Sequence, residues 1–262
     1  MKTLRFDYQL QILFEQPITE HYFTLKCIPQ TLSRQKILKR DICILPNDYY
    51  QLSEDGFGNL VLYGYYEKPH TKFEVHVTGQ TKVNWANYDK CDTHNYILRT
   101  PTRLTKMSRE MILFANEKWG NLKFFHMSKL NQAHAIMDTL YQEMQYESGS
   151  TEISTTAAQS FAQRKGVCQD YAHIMIAFCR YYGIPARYVA GMMIGEGYSH
   201  AWVEIYSNGR WYGFDPTNYL LIDSNYIIFA VGRDYDDCIL NKGYFYGAGE
   251  QKQKIYVKVE EL

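Results

Sequence analysis

The sequence lacks what would tie it to a polyanion, a disulfide scaffold or a bilayer. Its 28 Lys and Arg cancel its 28 Asp and Glu. Without a broad positive field, nucleic acid is not an expected partner. Six Cys in 262 residues, at positions 27, 43, 91, 168, 179 and 238, are too sparse and irregular for a disulfide framework and read as reduced thiols. No apolar run approaches the roughly eighteen residues of a membrane span, so no membrane partner is expected. Met1 to Phe23 interleaves Lys2, Arg5, Asp7, Glu15 and Glu20 with its apolar residues, which excludes a secretory core there and suggests a cytoplasmic protein. Asp234, Asp236 and Asp237 lie close together but lack the Gly and terminal Glu of a calcium loop. Close-spaced Cys pairs and Gly-rich phosphate loops are also missing, so neither a metal nor a cofactor is expected.

What is present is a globular balance, 46% hydrophobic and 21% charged, with 24 Tyr as the outlier. Tyrosine at that level suits half-buried strands, or an aromatic groove. The first ninety or so residues read as short strands. Phe6–Phe14 and His21–Cys27 alternate, Asp55-Gly56-Phe57-Gly58-Asn59 suggests a hairpin between Tyr49–Leu52 and Leu60–Tyr65, and Phe73–Thr78 continues the pattern. An antiparallel sandwich or open barrel follows. After Asn95 the period becomes helical, over Leu104–Phe114, Ala133–Tyr146 and a segment capped by Ser154-Thr155, with Pro101 near the boundary. Cys168–Tyr182 reads as a fourth helix, ended by Gly183 and Pro185. Strands are expected at Arg187–Ile194, His200–Tyr206, Arg210–Phe214, Tyr226–Val231 and Lys254–Glu260.

The informative stretch runs from Gly166 to Asn218. Gly166-Val167-Cys168-Gln169-Asp170-Tyr171-Ala172-His173 puts a cysteine at a helix start, where unpaired N–H groups and the positive dipole end favour an anion. Given a cationic neighbour, such a thiol is a nucleophile at neutral pH; alone, it could equally be a small buried core residue. His200 opens an alternating strand after the loop Gly195-Glu196-Gly197, and Asp215, fixed by Pro216, ends the next. The turn sets their register. With Asn208 and Gly209 at the tip, Ser207 faces Arg210, Asp215 lies across from Trp202, and His200 is its diagonal neighbour. One face then carries all three, so a carboxylate can orient an imidazole that faces the helix bearing Cys168. Trp202 would either line the substrate site or shield the pair from water. His173 pairs poorly with Cys168 for metal ligation, and Cys179, on the stripe of Ala172, Met175 and Ile176, reads as core.

These residues resemble the bacterial transglutaminase-like proteins, whose core is shared with papain-type thiol proteases and eukaryotic transglutaminases. The segments Gly183-Ile184-Pro185-Ala186-Arg187-Tyr188-Val189, His200-Ala201-Trp202-Val203-Glu204, Gly213-Phe214-Asp215-Pro216-Thr217-Asn218 and Val231–Asp237 carry the resemblance together with the Cys168 motif. It implies an α+β chain with a papain-like catalytic domain at 99–262, behind a β-rich, sandwich-like domain at 1–98. It also implies Cys168 as nucleophile, His200 as general base and acid, and Asp215 as the residue orienting His200. The expected activity is thiol-dependent hydrolysis of a peptide or carboxamide bond through an acyl-thioester, on a peptide or protein substrate. Acyl transfer to an amine and a non-catalytic peptide-binding module are the alternatives. The missing calcium loop weighs against cross-linking, and the intact trio against the module. The Cys168 backbone N–H is a natural oxyanion donor, and no second donor stands out.

Overall fold

A computed structural model describes residues 1–87 and 96–262. Cys91 and Asn95 lie outside them. Strand β1 (Lys2–Leu25) is continuous where the alternation suggests two strands. Leu4, Phe6, Tyr8, Leu10, Ile12 and Phe14 are all buried on one side of it, the period-two pattern of a half-buried ribbon. Pro17 has no N–H for a ladder and Glu20 sits at φ 49°, so the register slips between Leu13 and Ile18 and the strand turns into a second ladder. β2 (Gln35–Leu45), β3 (Tyr49–Glu54), β4 (Leu60–Tyr66) and β5 (His70–Val83) complete this run. The first half of β1 pairs with β5, and β5 with β2; the second half pairs with β4, and β4 with β3 in the expected hairpin.

Helices follow. α1 (Arg109–Trp119), the single turn α2 (Leu122–Phe125) and α3 (Lys129–Glu143) start at Ser108, Asn121 and Ser128, whose side chains accept backbone N–H groups of the first turn. Strand β6 (Gln145–Tyr146) precedes α4 (Ala157–Gln163), where Thr156, one residue beyond the expected cap, forms a reciprocal capping box with Gln159. β7 (Lys165–Gly166) runs parallel to β6 and leads into α5 (Cys168–Tyr181). Every residue of α5 from Asp170 to Arg180, including Cys179, is buried, so this helix is enclosed on all sides.

α5 packs on an antiparallel sheet made of β8 (Ala186–Met193), β10, β11, β12 and β13. Between them in sequence, β9 (Gly195–Gly197) goes elsewhere, and β10 (His200–Ser207), β11 (Arg210–Asp215), β12 (Leu220–Leu221) and β13 (Tyr226–Gly232) complete the order β12-β11-β10-β8-β13. Asn208 and Gly209 adopt φ 50° and 81°, the conformation that a two-residue hairpin requires. β14 (Asn241–Tyr246) and β15 (Gln251–Glu261) then return to the first sheet. β15 runs along β1 from Leu4↔Glu261 to Phe14↔Gln251, and β9 adds outside it. The eight-stranded sheet is therefore curled through the bend of β1 and built from both ends of the chain.

Polar groups weld this sheet to the core. β13 is an edge strand, and two buried amides close it: Gln35 exchanges hydrogen bonds with both backbone groups of Ile228, and Asn59 with both of Val231. Arg34 and Arg187 converge on Glu204, fully buried on β10, at 2.6 and 2.7 Å. Among the described residues no helix is long and apolar enough to cross a membrane.

Candidate active site

Cys168 is the first residue of α5, partly exposed, with the helix's open N–H groups around it. Its position is built from below by Asp170. That carboxylate accepts the Val167 N–H at 2.8 Å and the Thr151 hydroxyl at 2.6 Å, which ties the preceding loop to the helix start. Gly166 makes room for it, since a Cβ there would come within 2.6 Å of the Asp170 Cβ. Burial holds the Asp170 carboxyl above the ordinary range despite these donors.

The β10–β11 hairpin supplies the other groups. Its ladder runs from Ser207↔Arg210 to Val203↔Phe214, the register expected from the turn. His200 Nε2 lies 2.7 Å from Asp215 Oδ2. The Cys168 thiol is near enough to the same imidazole to favour its protonated form. Because Asp215 occupies Nε2, Nδ1 is the nitrogen left for the sulfur. The structure thus brings Cys168, His200 and Asp215 together.

Asp215 is fully buried and densely solvated by the protein. Its Oδ1 accepts the N–H groups of Thr217 and Asn218 at 3.0 and 3.1 Å; its Oδ2 accepts the Asn218 side-chain amide at 2.8 Å and the Tyr226 hydroxyl at 3.0 Å. Burial alone would raise this carboxyl; His200 and these donors hold it below its ordinary value, as an anion. For His200 the balance has the opposite sign. Burial would make the ring neutral, but the bond to Asp215 and the neighbouring Cys168 outweigh it and raise the pKa well above 6.5.

Trp202 is not on a cleft. It is fully buried beneath His200, with ring centroids 6.4 Å apart, and meets Tyr226 edge-on. It therefore offers no surface to a substrate, which corrects the lining role and leaves that of a shield. Gly191, opposite His200 on β8, is needed for this packing: a Cβ there would approach the indole to 2.5 Å. His173 is buried beside Tyr188 and accepts the Tyr235 N–H, and burial lowers its pKa to about 3. Sequence reasoning missed Asn218 and Tyr226 as partners of Asp215. The first stands in the same motif; the second carries no local signal.

Comparison with known proteins reports on both halves. Residues 124–216 match the model of the transglutaminase-like superfamily, and residues 4–82 that of the bacterial transglutaminase-like N-terminal region. An uncharacterized protein of Mycobacterium leprae is 25% identical over the full length of both chains. An uncharacterized Mycobacterium tuberculosis protein is 38% identical over 131 residues, 44% of this chain and 42% of that one. A candidate cysteine protease of Cytophaga hutchinsonii shares the fold, with a TM-score of 0.79 at 23% identity, over 100% of this chain and 92% of the other.

Proposed function

We propose that this chain, which joins a bacterial transglutaminase-like N-terminal region to a transglutaminase-like core, is a cysteine peptidase or amidase working through Cys168, His200 and Asp215. The observation that carries the reading is His200 set beside the Cys168 thiol and held at 2.7 Å by a buried, anionic Asp215.

In the reactive state the proton resides on His200 and the sulfur is a thiolate. The thiolate attacks the carbonyl carbon, and the oxyanion forms against the Cys168 N–H at the helix start. The C–N bond breaks as His200 gives its proton to the leaving amine, which leaves an acyl-thioester. Water then attacks that ester. His200 takes the water's proton, the C–S bond breaks, and acid and thiolate are released. Asp215 stays ionised throughout, fixing the ring and stabilising the imidazolium. Trp202 and Tyr226 close one side of the pair, which strengthens the bond between them.

The test is incubation of the protein with a glutaminyl peptide and an excess of a primary amine, read by mass spectrometry. Net addition of water with loss of ammonia supports hydrolysis, whereas amine incorporation replaces it with acyl transfer. Iodoacetamide labelling of Cys168 no faster than that of exposed Cys43 sinks both.

A further inference from the structure

Tyr198 and Ser199, the two residues before His200, form the bend that leads away from β9, which is an edge of the eight-stranded sheet and not of the core sheet. They reach opposite sides of that sheet. Ser199 lines a cavity of about 380 Å³ on the sheet's inner face. Tyr198, 78% exposed, stands over a groove of about 730 Å³ on the outer face.

That groove crosses β2, β5, β1 and β15 and ends at Tyr198. Four steps of roughly 4.8 Å between strands make it roughly 19 Å long, the span of five or six extended residues. Its floor holds the side-chain amides of Gln9 and Gln11, and its carboxylate, Glu74, is paired with Lys72 at 2.8 Å. Leu45 and Tyr256 form apolar walls. Amides, apolar walls and a balanced charge suit main-chain peptide groups and mixed side chains, and do not suit a polyanion. The near end of the groove is tied to the site already described through the chain itself: Tyr198 lines the groove and stands two residues before His200.

We infer that this groove is the distal subsite for an extended polypeptide. A chain whose reacting bond sits at Cys168 passes Tyr198 and continues across the outer face of the sheet. The substrate is then a protein or long peptide, not a small carboxamide. The inference rests on the Cys168 chemistry proposed above, but its test does not.

Cys43, exposed at the far end of the groove, is the reporter. In the full-length Cys168→Ala protein, iodoacetamide labelling of Cys43 is followed by peptide-resolved mass spectrometry, alone, with saturating unfolded casein, and with N-acetylglutamine amide. Casein is expected to slow labelling at least five-fold and the small amide to leave it unchanged. Adding Tyr198→Ala should remove most of the protection. Equal rates with and without casein overturn the groove. The variant carries no nucleophile, so the two readings separate. Protection alongside a wild-type protein that turns over neither peptides nor acyl esters overturns the Cys168 chemistry, and ester turnover without protection overturns the groove.

Discussion

In the N-terminal sheet, His21 lies among Phe14, Phe23, Phe73 and Phe245, with its Nδ1 3.2 Å from Nε2 of His70. At the start of the central strand of the core sheet, His200 is almost as enclosed, but it meets a carboxylate and a thiol. Burial, with His70 adding to it, lowers the His21 pKa to about 4, whereas His200 is raised. His173 shows that the core itself is not responsible, because there too burial wins. The difference is one buried anion. A protein interior makes histidine neutral by default, and only a carboxylate solvated by fixed donors, as Asp215 is, reverses that.

The comparison is broken most completely at the sulfur. Cys168→Ala should reduce peptide turnover by at least about 10³-fold while the melting temperature stays close to that of the wild type, measured by steady-state kinetics and calorimetry. Asp215→Asn should leave residual activity, lower by about 10² to 10⁴-fold. It should also move the alkaline limb of the kcat/KM profile downward, because His200 then loses the charge that distinguishes it from His21. Glu204→Ala leaves Arg34 and Arg187 facing an empty partner, and a loss of about 3 to 5 kcal/mol is expected from urea unfolding. Tyr226→Phe removes one donor from Asp215, costing about 1 kcal/mol, which in kcat/KM is about five-fold. The smallest effect should come from His21→Gln, with turnover unchanged.

That last variant sharpens the comparison through stability. The His200 pKa is raised on folding, so its contribution is complete below the unfolded value of 6.5 and is lost as pH rises through the folded value. The His21 pKa is lowered, so its contribution is present above 6.5 and is lost as pH falls toward about 4. Urea midpoints for the wild type should therefore drop between pH 7 and pH 5, and His21→Gln should flatten that drop.

The trio was legible because it depends on local rules. Asn208-Gly209 sets a register, the register places Asp215 diagonal to His200, and the helix start at Cys168 follows Gly166. Other features depend on distant partners. β2, where no strand was expected, carries Lys36, Lys39, Arg40 and Asp41 and is held in place by β5. The two predicted strands at residues 6–14 and 21–27 merge because neighbours on both sides hold β1 through its bend. Gln35 and Asn59 look like ordinary polar residues, and only β13, more than 160 positions away, gives their amides a purpose. Trp202 was placed on the right face of its strand, but what covers that face is Tyr226, which no pairing rule supplies.

β15, laid between β1 and β9, has a consequence for how the molecule is made. The partner that β1 needs on that side follows the entire core in the chain. During synthesis the opening ribbon leaves the ribosome long before that partner exists, and one flank stays bare until the core has been translated. The N-terminal portion is thus no head start for folding: it is finished last, and its completion also anchors the loop that leads into His200.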